Sequence, residues 1–398
     1  MLPYGRHSID NDDIAAVIEV LRGDWLTQGP VVEQFETAFA AHLGVRHAVV
    51  CSSGTAALHL TALAMGIGPD DAVIVPTNTF LATANAARLC GAEILFADVD
   101  PDTGLMTAAH AAAALSKSEG NRVRAIFPVH FAGQCEAPDE LREFARDHNL
   151  MVIEDACHAL GSTYEVDGQT YPVGACAHSD MATFSFHPVK TIAMGEGGAV
   201  TTNDDRLAIR LRDLRNHGMT RESERYTNTD LAFNASGAAH PWYYEMPTPG
   251  LNYRASGLHS ALGLSQLRKL DNFVERRRKL ADHYDARMEE IGPEVVSLAR
   301  VMNCRPAWHL YIGLIDFPMI SMPRNDLMVA LRERGILTQV HYIPVHWQPY
   351  YTNRYGPSDL PGAAAYYARC LSLPLFPSMD EADVDRVVEA LADIVGLN

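Results

Sequence analysis

The sequence LMVIEDACHALGS, residues 150–162, begins with a continuous apolar run that ends in two acids and, three residues later, a histidine. A short apolar run of this kind predicts a strand buried on both faces, as in parallel sheets. Six more runs of the same type lie around it: HAVVCS, AVIVPTNTF, EILFADVD, VRAIFPVHF, DMATFSF and GGAVTTN. Helical stretches such as TAALHLTALAMG, LATANAARLCG and APDELREFARDHN follow several of these strands. The alternation predicts an α/β domain with a mostly parallel sheet.

The rest of the chain predicts a second, smaller unit, because 398 residues exceed the length of about 250–300 at which a single core stops growing. A charged helix, DDRLAIRLRDLRNHG, precedes a polar stretch with three prolines over residues 219–249, which predicts a long arm or loop. Residues 257–292 predict a helix, followed by the strands HLYIGLIDF and GILTQVHYIPV and a final helix from about residue 380. We therefore expect a large α/β domain over residues 1–250, including the arm, and a small C-terminal α+β domain over residues 251–398.

Composition and charge exclude several classes of function. The formal net charge of −17 opposes broad binding to nucleic acid or to an anionic membrane surface, since both require a basic field. No run approaches the roughly 18–20 apolar residues that cross a bilayer, and the start MLPYGRHSIDNDD lacks the pattern of a signal peptide. We expect a soluble cytoplasmic protein. Seven scattered cysteines without a CxxC pair predict buried free thiols, neither disulfides nor a metal site.

The stretch SSGTAAL, residues 52–58, connects a predicted strand to a predicted helix. Backbone N–H groups and the helix dipole favour an anion at such a position, and a phosphate group fits this description. Ser, Gly and Thr are also ordinary capping and turn residues there. The stretch alone leaves both interpretations open.

An acid and a lysine follow two other predicted strands. Asp155 ends the strand described first, where a carboxylate can hold a protonated pyridine nitrogen but more often caps a helix, binds a metal or stays solvated. Lys190 lies just past the strand that contains Ser185. A lysine at this position that loses its proton can form a Schiff base with an aldehyde. A lone lysine there is usually a surface charge. Their separation of 35 residues (190 − 155 = 35) is one crossover unit, which predicts neighbouring strand ends. With the phosphate site, these groups supply what pyridoxal phosphate (PLP) requires.

These motifs, in this order, resemble the DegT/DnrJ/EryC1/StrS family of sugar aminotransferases, within PLP fold type I, the aspartate aminotransferase-like fold. The resemblance covers nearly the whole chain, from TQGP through SSGTAAL, TFLATANA, FADVD, IEDACHALGS, TFSFHPVK, GEGGAVTTN and LNYRASGLHSALGLSQL to QVHYIPVH. It implies a PLP-dependent nucleotide-sugar aminotransferase. One branch of the family has histidine in place of the lysine and performs dehydration. Because this sequence keeps Lys190, aminotransfer is favoured.

The resemblance also implies how the cofactor ring is bound. Lys190 would form the Schiff base and act as the catalytic group, while Asp155 would pair with the pyridine nitrogen. His158 would lie near the 3′-oxygen of the ring. Phe80 would stack on the ring, although a simple core position is the alternative.

For the cofactor phosphate, the resemblance implies Gly54, Thr55 and Ser185. It further implies that Asn252, from the motif Asn-Tyr-Arg, reaches the phosphate in the partner subunit, in a homodimer with shared active sites. Asn252 and Arg254 can alternatively cap the helix that follows. Glu154 and Cys157 are interpreted as supporting residues without chemistry.

The substrate-binding residues that the resemblance implies are Thr27, Gln28, His187, Arg254, His341 and Tyr342. For the segment HYIPVH, residues 341–346, strand packing is as good an interpretation as substrate contact. The aromatic residues of the 219–249 arm can either close over a nucleotide or contact another subunit.

Within the family, five motifs of this chain are most similar to those of the UDP-4-amino-4,6-dideoxy-N-acetyl-β-L-altrosamine transaminases of pseudaminic acid biosynthesis. These motifs are LTQG, HALGS, GLNYR, SALGLSQL and GILTQVHYIPVH. That branch implies transfer from L-glutamate to C4 of a UDP-linked 4-keto-6-deoxy-N-acetylhexosamine. Other branches aminate C4 of D-configured sugars or C3 of other sugars, and these alternatives stay open. Cysteine desulfurases and serine hydroxymethyltransferases share the fold, but GEGGAVTTN and LNYR argue against them. A regulator without transamination is disfavoured because the lysine and the acid are both present.

Overall fold

The computed structural model describes residues 1–118, 120 and 122–396. Its helices are, in chain order, α1 (Asn11–Arg22), α2 (Pro30–Leu43), α3 (Gly54–Ala64), α4 (Leu81–Leu89), α5 (Ala108–Leu115), α6 (Pro138–Asp147), α7 (Asp205–Arg215), α8 (Thr229–Ala232), α9 (Gly257–Leu267), α10 (Leu270–Met288), α11 (Arg324–Glu333), α12 (Pro349–Tyr355), α13 (Pro361–Arg369) and α14 (Glu381–Val395). Its strands are β1 (His47–Cys51), β2 (Asp71–Pro76), β3 (Glu93–Ala97), β4 (Arg122–Ile126), β5 (Met151–Asp155), β6 (Thr163–Val166), β7 (Gln169–Pro172), β8 (Met181–Ser185), β9 (Gly198–Thr202), β10 (Val295–Ser297), β11 (Cys304–Arg305), β12 (Tyr311–Ile315) and β13 (Cys370–Leu373).

The central element is a seven-stranded sheet in the order β1-β9-β8-β5-β4-β2-β3. Strands β8, β5, β4, β2 and β3 are parallel, while β9 runs antiparallel between β1 and β8. All seven strands predicted from apolar runs form this sheet, which confirms the expected α/β fold with a mostly parallel sheet. Strands β5 and β8 are neighbours, and Asp155 pairs in register with Thr183. The predicted adjacency of the two strand ends is therefore also confirmed.

Two small antiparallel sheets, β10-β12-β13 and β11-β6-β7, complete the strands of the described chain. The predicted strand HLYIGLIDF contains β12, and the predicted final helix is α14. The prediction that GILTQVHYIPV forms a strand was wrong. This segment makes only isolated bridges, from Ile336 to Leu2 and from Gln339 to Ser372, because it runs along the edge of the small sheet without a continuous ladder.

The single helix predicted over residues 257–292 was also wrong in part, since two helices, α9 and α10, occupy this stretch. The break falls at Lys269, where the backbone turns to φ −104° and the ammonium group pairs with Asp10 and Asp13 of the N-terminal helix. The arm over residues 219–249 is irregular apart from short helical turns, as expected. Helix α9 packs on α1 and α2. The domain boundary after residue 250 stays a prediction.

Helix α3 brings its N-terminus to the edge of the central sheet. Small residues such as Ala56, Ala57 and Ala62 are buried along it, so that it packs closely against β8, β9, α4 and α7. This packing places Gly54, its first residue, directly against Ser185 at the end of β8. Among the described residues, no helix is both long and apolar enough to cross a membrane. All seven cysteines are free, and four of them are buried.

Candidate active site

A cavity of about 370 Å³ opens at the carboxyl ends of β5 and β8. In open α/β sheets, this edge is where ligands bind, because loops and helix N-termini leave a crevice there. The residues predicted for cofactor and substrate that line this cavity are Lys190, Asp155, His158, Ser185, Gly54, Thr55, Phe80, His187, His341 and Tyr342. The fold thus gathers into one space side chains that are nearly 290 residues apart in the sequence (342 − 54 = 288).

Four predicted residues lie outside this cavity. Gln28 and Arg254 line a separate groove of about 800 Å³ beside α2, α7 and the start of the arm. Thr27 forms a backbone bridge with Ser256. Asn252 is exposed, at a point where the chain passes beside the end of β1, since the Tyr253 carbonyl accepts from Ser52 N–H at 2.8 Å. Their contacts with cofactor or substrate stay predictions.

Lys190 lines the cavity from the loop between β8 and β9. The backbone N–H of Lys190 donates to the His187 carbonyl at 2.8 Å. Loss of hydration lowers the pKa of its ammonium group, and the nearby charge of Asp155 opposes this shift only in part. A lowered lysine pKa increases the fraction of neutral amine, which is the nucleophilic form. Lys190 therefore has the environment that Schiff-base chemistry requires.

Asp155 is buried at the end of β5, and both of its carboxylate oxygens accept hydrogen bonds. Oδ2 accepts from the Thr83 hydroxyl at 2.6 Å, and Oδ1 accepts from the Cys157 N–H at 3.2 Å. No arginine or lysine forms an ion pair with this carboxylate among the described residues. A buried carboxylate without a cationic partner is suited to hold a protonated ring nitrogen.

The N-terminus of α3 lies where the sequence predicts a phosphate site, and its binding of phosphate stays a prediction. Ser53 caps the helix by accepting from the Ala56 N–H at 3.1 Å, so the N–H groups of Gly54 and Thr55 remain without acceptors inside the helix. A methyl group on Gly54 would lie 2.7 Å from the Ser185 Cβ, closer than such atoms approach. Only glycine lets the helix N-terminus come this near to the Ser185 hydroxyl, so that both can bind one anion.

His158 supplies an unpaired polar atom at the cavity wall. Its Nε2 lies 3.1 Å from the Tyr342 hydroxyl, whereas its buried Nδ1 has no hydrogen-bond partner. The cavity brings together a lysine, a buried carboxylate and a helix N-terminus, and these residues fit an aldehyde, a protonated ring nitrogen and a phosphate, the three groups of PLP.

The sequence pattern of the DegT/DnrJ/EryC1/StrS aminotransferase family matches residues 7–392. The chain belongs to this family. Members use PLP, and this chain is accordingly a PLP-dependent enzyme of the sugar aminotransferase family. The spore coat polysaccharide biosynthesis protein SpsC of Bacillus subtilis is 41% identical over 397 residues, which cover 99% of this chain and 97% of SpsC.

Solved structures of family members have the same fold. The Helicobacter pylori protein PseC, described as an aminotransferase involved in the biosynthesis of pseudoaminic acid, superposes with a TM-score of 0.87 at 29% identity, covering 99% of each chain. The PLP form of the putative sugar aminotransferase Spr1654 from Streptococcus pneumoniae superposes with a TM-score of 0.85 at 26% identity, covering 99% of this chain and 98% of that one.

Several residues that line the cavity of this chain were not predicted from its sequence. Tyr4 lines it because the first residues cross beside the cavity: Leu2 pairs with Ile336, and the Tyr4 carbonyl accepts from the Leu375 N–H at 3.1 Å. His309, just before β12, also lines it, with its ring centre 4.3 Å from that of His158. No local pattern marks these residues. Thr83, by contrast, lies inside the motif TFLATANA, which could have directed attention to it.

Three buried cavity histidines, His158, His309 and His341, predict a pH-dependent stability. Burial and the nearby positive charge of Lys190 lower the pKa of each, that of His341 to about 3. The unfolded chain, in which histidine has a pKa of about 6.5, therefore binds protons that the folded chain does not. Stability is present above pH 6.5 and is lost as pH falls below it, by about 1.4 kcal/mol per pH unit for each histidine.

We expect the free energy of unfolding of the apoprotein, measured with urea, to fall between pH 7 and pH 5. In His309→Gln the slope should be shallower by about one proton, because one of the three groups no longer titrates. An unchanged slope in that variant would show that His309 is not held neutral in the folded protein.

Proposed function

We propose that this enzyme transfers an amino group from L-glutamate to C4 of a UDP-linked 4-keto-6-deoxy-N-acetylhexosamine, UDP-2-acetamido-2,6-dideoxy-β-L-arabino-hex-4-ulose. The observation that carries the aminotransferase chemistry is the single cavity that holds Lys190, Asp155 and the N-terminus of α3. The choice of sugar is supported by the motifs GLNYR and GILTQVHYIPVH and by the similarity to PseC along the whole chain.

In this proposal the cofactor supplies an electron sink for the negative charge that forms at the reacting carbon. Lys190 removes the α-proton of L-glutamate in the first half-reaction. In the second half-reaction the same amine delivers a proton to C4 of the sugar, so that Lys190 acts twice. Its lowered pKa keeps a fraction of the amine neutral and able to accept a proton.

The other cavity residues bind and orient. Asp155 holds the pyridine nitrogen through a carboxylate that is already fixed by two hydrogen bonds. Thr55, Ser185 and the N–H groups at the start of α3 hold the phosphate. His158, which lines the cavity, would lie near the 3′-oxygen of the cofactor ring.

The substrate side of the cavity is formed by His187, His341 and Tyr342, and Phe80 lies at its exposed edge with 56% of its surface accessible. An aromatic ring so exposed beside a cavity is suited to stack on a planar group. We assign it to the cofactor ring.

We further propose a homodimer in which Asn252 binds the cofactor phosphate of the partner subunit. Asn252 lies outside the cavity of its own chain and is exposed on the segment that passes beside the end of β1. Thr27, Gln28 and Arg254 share this surface or the adjoining groove, and we place them near the nucleotide sugar.

A second candidate is amination of C4 in a D-xylo keto sugar, or of C3 in another sugar. The identities to solved relatives leave the choice of sugar open. The Streptomyces venezuelae protein DesV is 33% identical to this chain, and DesI, solved in the presence of its TDP-sugar product, is 32% identical, compared with 29% for PseC. Overall identity therefore does not single out one sugar.

The test separates the two half-reactions. The purified holoenzyme is first treated with L-glutamate, which we expect to bleach the visible absorption band of the bound cofactor. After glutamate is removed, UDP-linked 4-keto-6-deoxy-N-acetyl sugars of L-arabino or D-xylo configuration are added separately. We expect the band to return with the L-arabino sugar, which is the substrate of this proposal.

Return of the band with the D-xylo sugar alone would support the second candidate and reject the first. If neither sugar restores it, the substrate belongs to another branch of the family. Failure of glutamate to bleach the band would reject L-glutamate as the amino donor or reject transamination itself, and a screen of other amino acids would distinguish the two.

A further inference from the structure

Two threonine hydroxyls form a chain that ends on the carboxylate of Asp155. Thr79 Oγ1 lies 2.8 Å from Thr83 Oγ1, and Thr83 Oγ1 lies 2.6 Å from Asp155 Oδ2. The exposed fractions of Thr79, Thr83 and Asp155 are 2%, 0% and 5%. Because all three are buried, bulk water does not provide a substitute for a lost hydroxyl.

The direction of this chain follows from the charge of its last member. An ionised carboxylate only accepts hydrogen bonds, so the single hydroxyl hydrogen of Thr83 points to Asp155. Thr83 then has no hydrogen left for Thr79, and Thr79 must donate to Thr83. Two hydroxyl dipoles are thus aligned toward the carboxylate, which strengthens both hydrogen bonds.

The two oxygens of Asp155 are fixed from different parts of the fold. Thr83, in the first turn of α4, holds Oδ2, while the backbone N–H of Cys157, just after β5, holds Oδ1. A carboxyl group held at both oxygens cannot rotate freely about its Cβ–Cγ bond. A threonine in a helix usually satisfies its hydroxyl on a backbone carbonyl one turn earlier, and Thr83 instead crosses to another element.

We propose that Thr83 is a positioning residue that fixes the orientation of Asp155 toward the cofactor ring, with Thr79 as its support. This inference rests on the proposed pairing of Asp155 with the ring nitrogen. Thr83 and the Cys157 N–H together hold the plane of the carboxylate in one orientation, so that its charge stays directed at the ring. Loss of the Thr83 hydroxyl frees the carboxylate to turn.

Other titratable groups face Asp155 from the surrounding elements. They are Lys190 from the loop after β8, Cys157 from the segment after β5, and Tyr342 from the segment before α12. All three remain in place when Thr83 is changed. A change in the cofactor's titration in a Thr83 variant therefore reports the hydroxyl itself.

The test compares Thr83→Val, which has the shape of threonine without the hydroxyl, with Thr83→Ser, which keeps the hydroxyl. Thr61→Val is the control, because Thr61 is a buried helix threonine that donates only to the Leu58 carbonyl at 2.7 Å. The readouts are the Kd of the apoprotein for PLP and the pH titration of the visible absorption band of the holoenzyme. In Thr83→Val we expect Kd to rise about tenfold and the midpoint of the titration to move by at least about half a pH unit. Thr83→Ser and Thr61→Val should match the unchanged protein.

Thr79→Val is a second variant with a smaller expected effect. It keeps the hydrogen bond from Thr83 to Asp155 and removes only the hydrogen bond from Thr79 to Thr83. We expect a shift in the same direction as in Thr83→Val, but smaller. The proposal is overturned if the folded Thr83→Val protein behaves like Thr61→Val in both readouts. If Thr83→Val does not fold, an unshifted titration in Thr79→Val overturns it.

Failure of this inference is distinguishable from failure of the proposed site. If Asp155→Asn leaves the cofactor's titration and the transfer rate unchanged, Asp155 is not the partner of the ring and the site assignment itself fails. If Asp155→Asn changes both while Thr83→Val changes neither, the site stands and only the role of Thr83 is rejected.

Discussion

Replacing Lys190 with alanine is expected to abolish amino transfer while leaving the fold intact. The substitution removes the amine that forms the covalent link to the cofactor and moves the proton in both half-reactions, so the rate should fall by more than about 10⁴-fold. Lys190 lies at the wall of an open cavity and makes no side-chain hydrogen bond among the described residues, so its removal leaves no buried partner unpaired. The measurement is the steady-state rate of transfer from L-glutamate, with circular dichroism to verify the fold.

Lys279→Ala is the matched control, because Lys279 is exposed on α10 and the substitution removes the same charge. It should keep full activity. Adding a primary amine to Lys190→Ala should restore a small part of the rate if the loss is chemical. Retained activity in Lys190→Ala without such an addition would overturn the central assignment.

The second large effect is expected for Asp155→Asn. The amide has nearly the shape of the carboxylate but carries no negative charge, so it cannot stabilise a protonated pyridine nitrogen. Removing a preorganised electrostatic contact of this kind typically costs roughly 10²–10³-fold in kcat. The transfer rate should fall by this factor per molecule of bound cofactor, and the amide should still accept from Thr83.

The neighbouring acid gives the control. Glu154 lies on the same strand but on its other face, where it contacts His130 at 3.3 Å and accepts from the Gly174 N–H at 3.2 Å. Glu154→Gln should lower the unfolding free energy and leave the rate per bound cofactor within a few-fold. An equal loss of rate in both variants would show that charge at this strand end acts generally and not at the ring.

The sequence predicted the central sheet well because its strands are continuous apolar runs, a local pattern that parallel sheets produce when both faces are buried. It also predicted that Asp155 and Lys190 converge, since one crossover unit places them on neighbouring strand ends. What it missed depends on contacts between distant segments. Thr83 and Asp155 are 72 positions apart, and nothing in TFLATANA alone indicates which carboxylate its hydroxyl reaches.

For the segment GILTQVHYIPV, by contrast, the local pattern predicts a strand that the structure does not form. Its alternating and β-branched residues favour extended backbone, but regular pairing also requires a free strand edge along its length. Within the part of the chain that the structure describes, the segment forms bridges only with Leu2 and Ser372. Similarly, Tyr4 enters the cavity only because Leu2 is held beside Ile336.

The placement of Tyr4 beside His341 and Tyr342 has a consequence for how the enzyme is made in the cell. During synthesis, Tyr4 leaves the ribosome early, whereas the residues that complete its side of the cavity follow 337 positions or more later (341 − 4 = 337). The central sheet and the N-terminus of α3 can form while the chain is still growing, because domains fold as units from the N-terminal side. The cavity itself, however, gains its last wall only when the segment around residues 336–342 has emerged, so the complete binding site is a late product of translation.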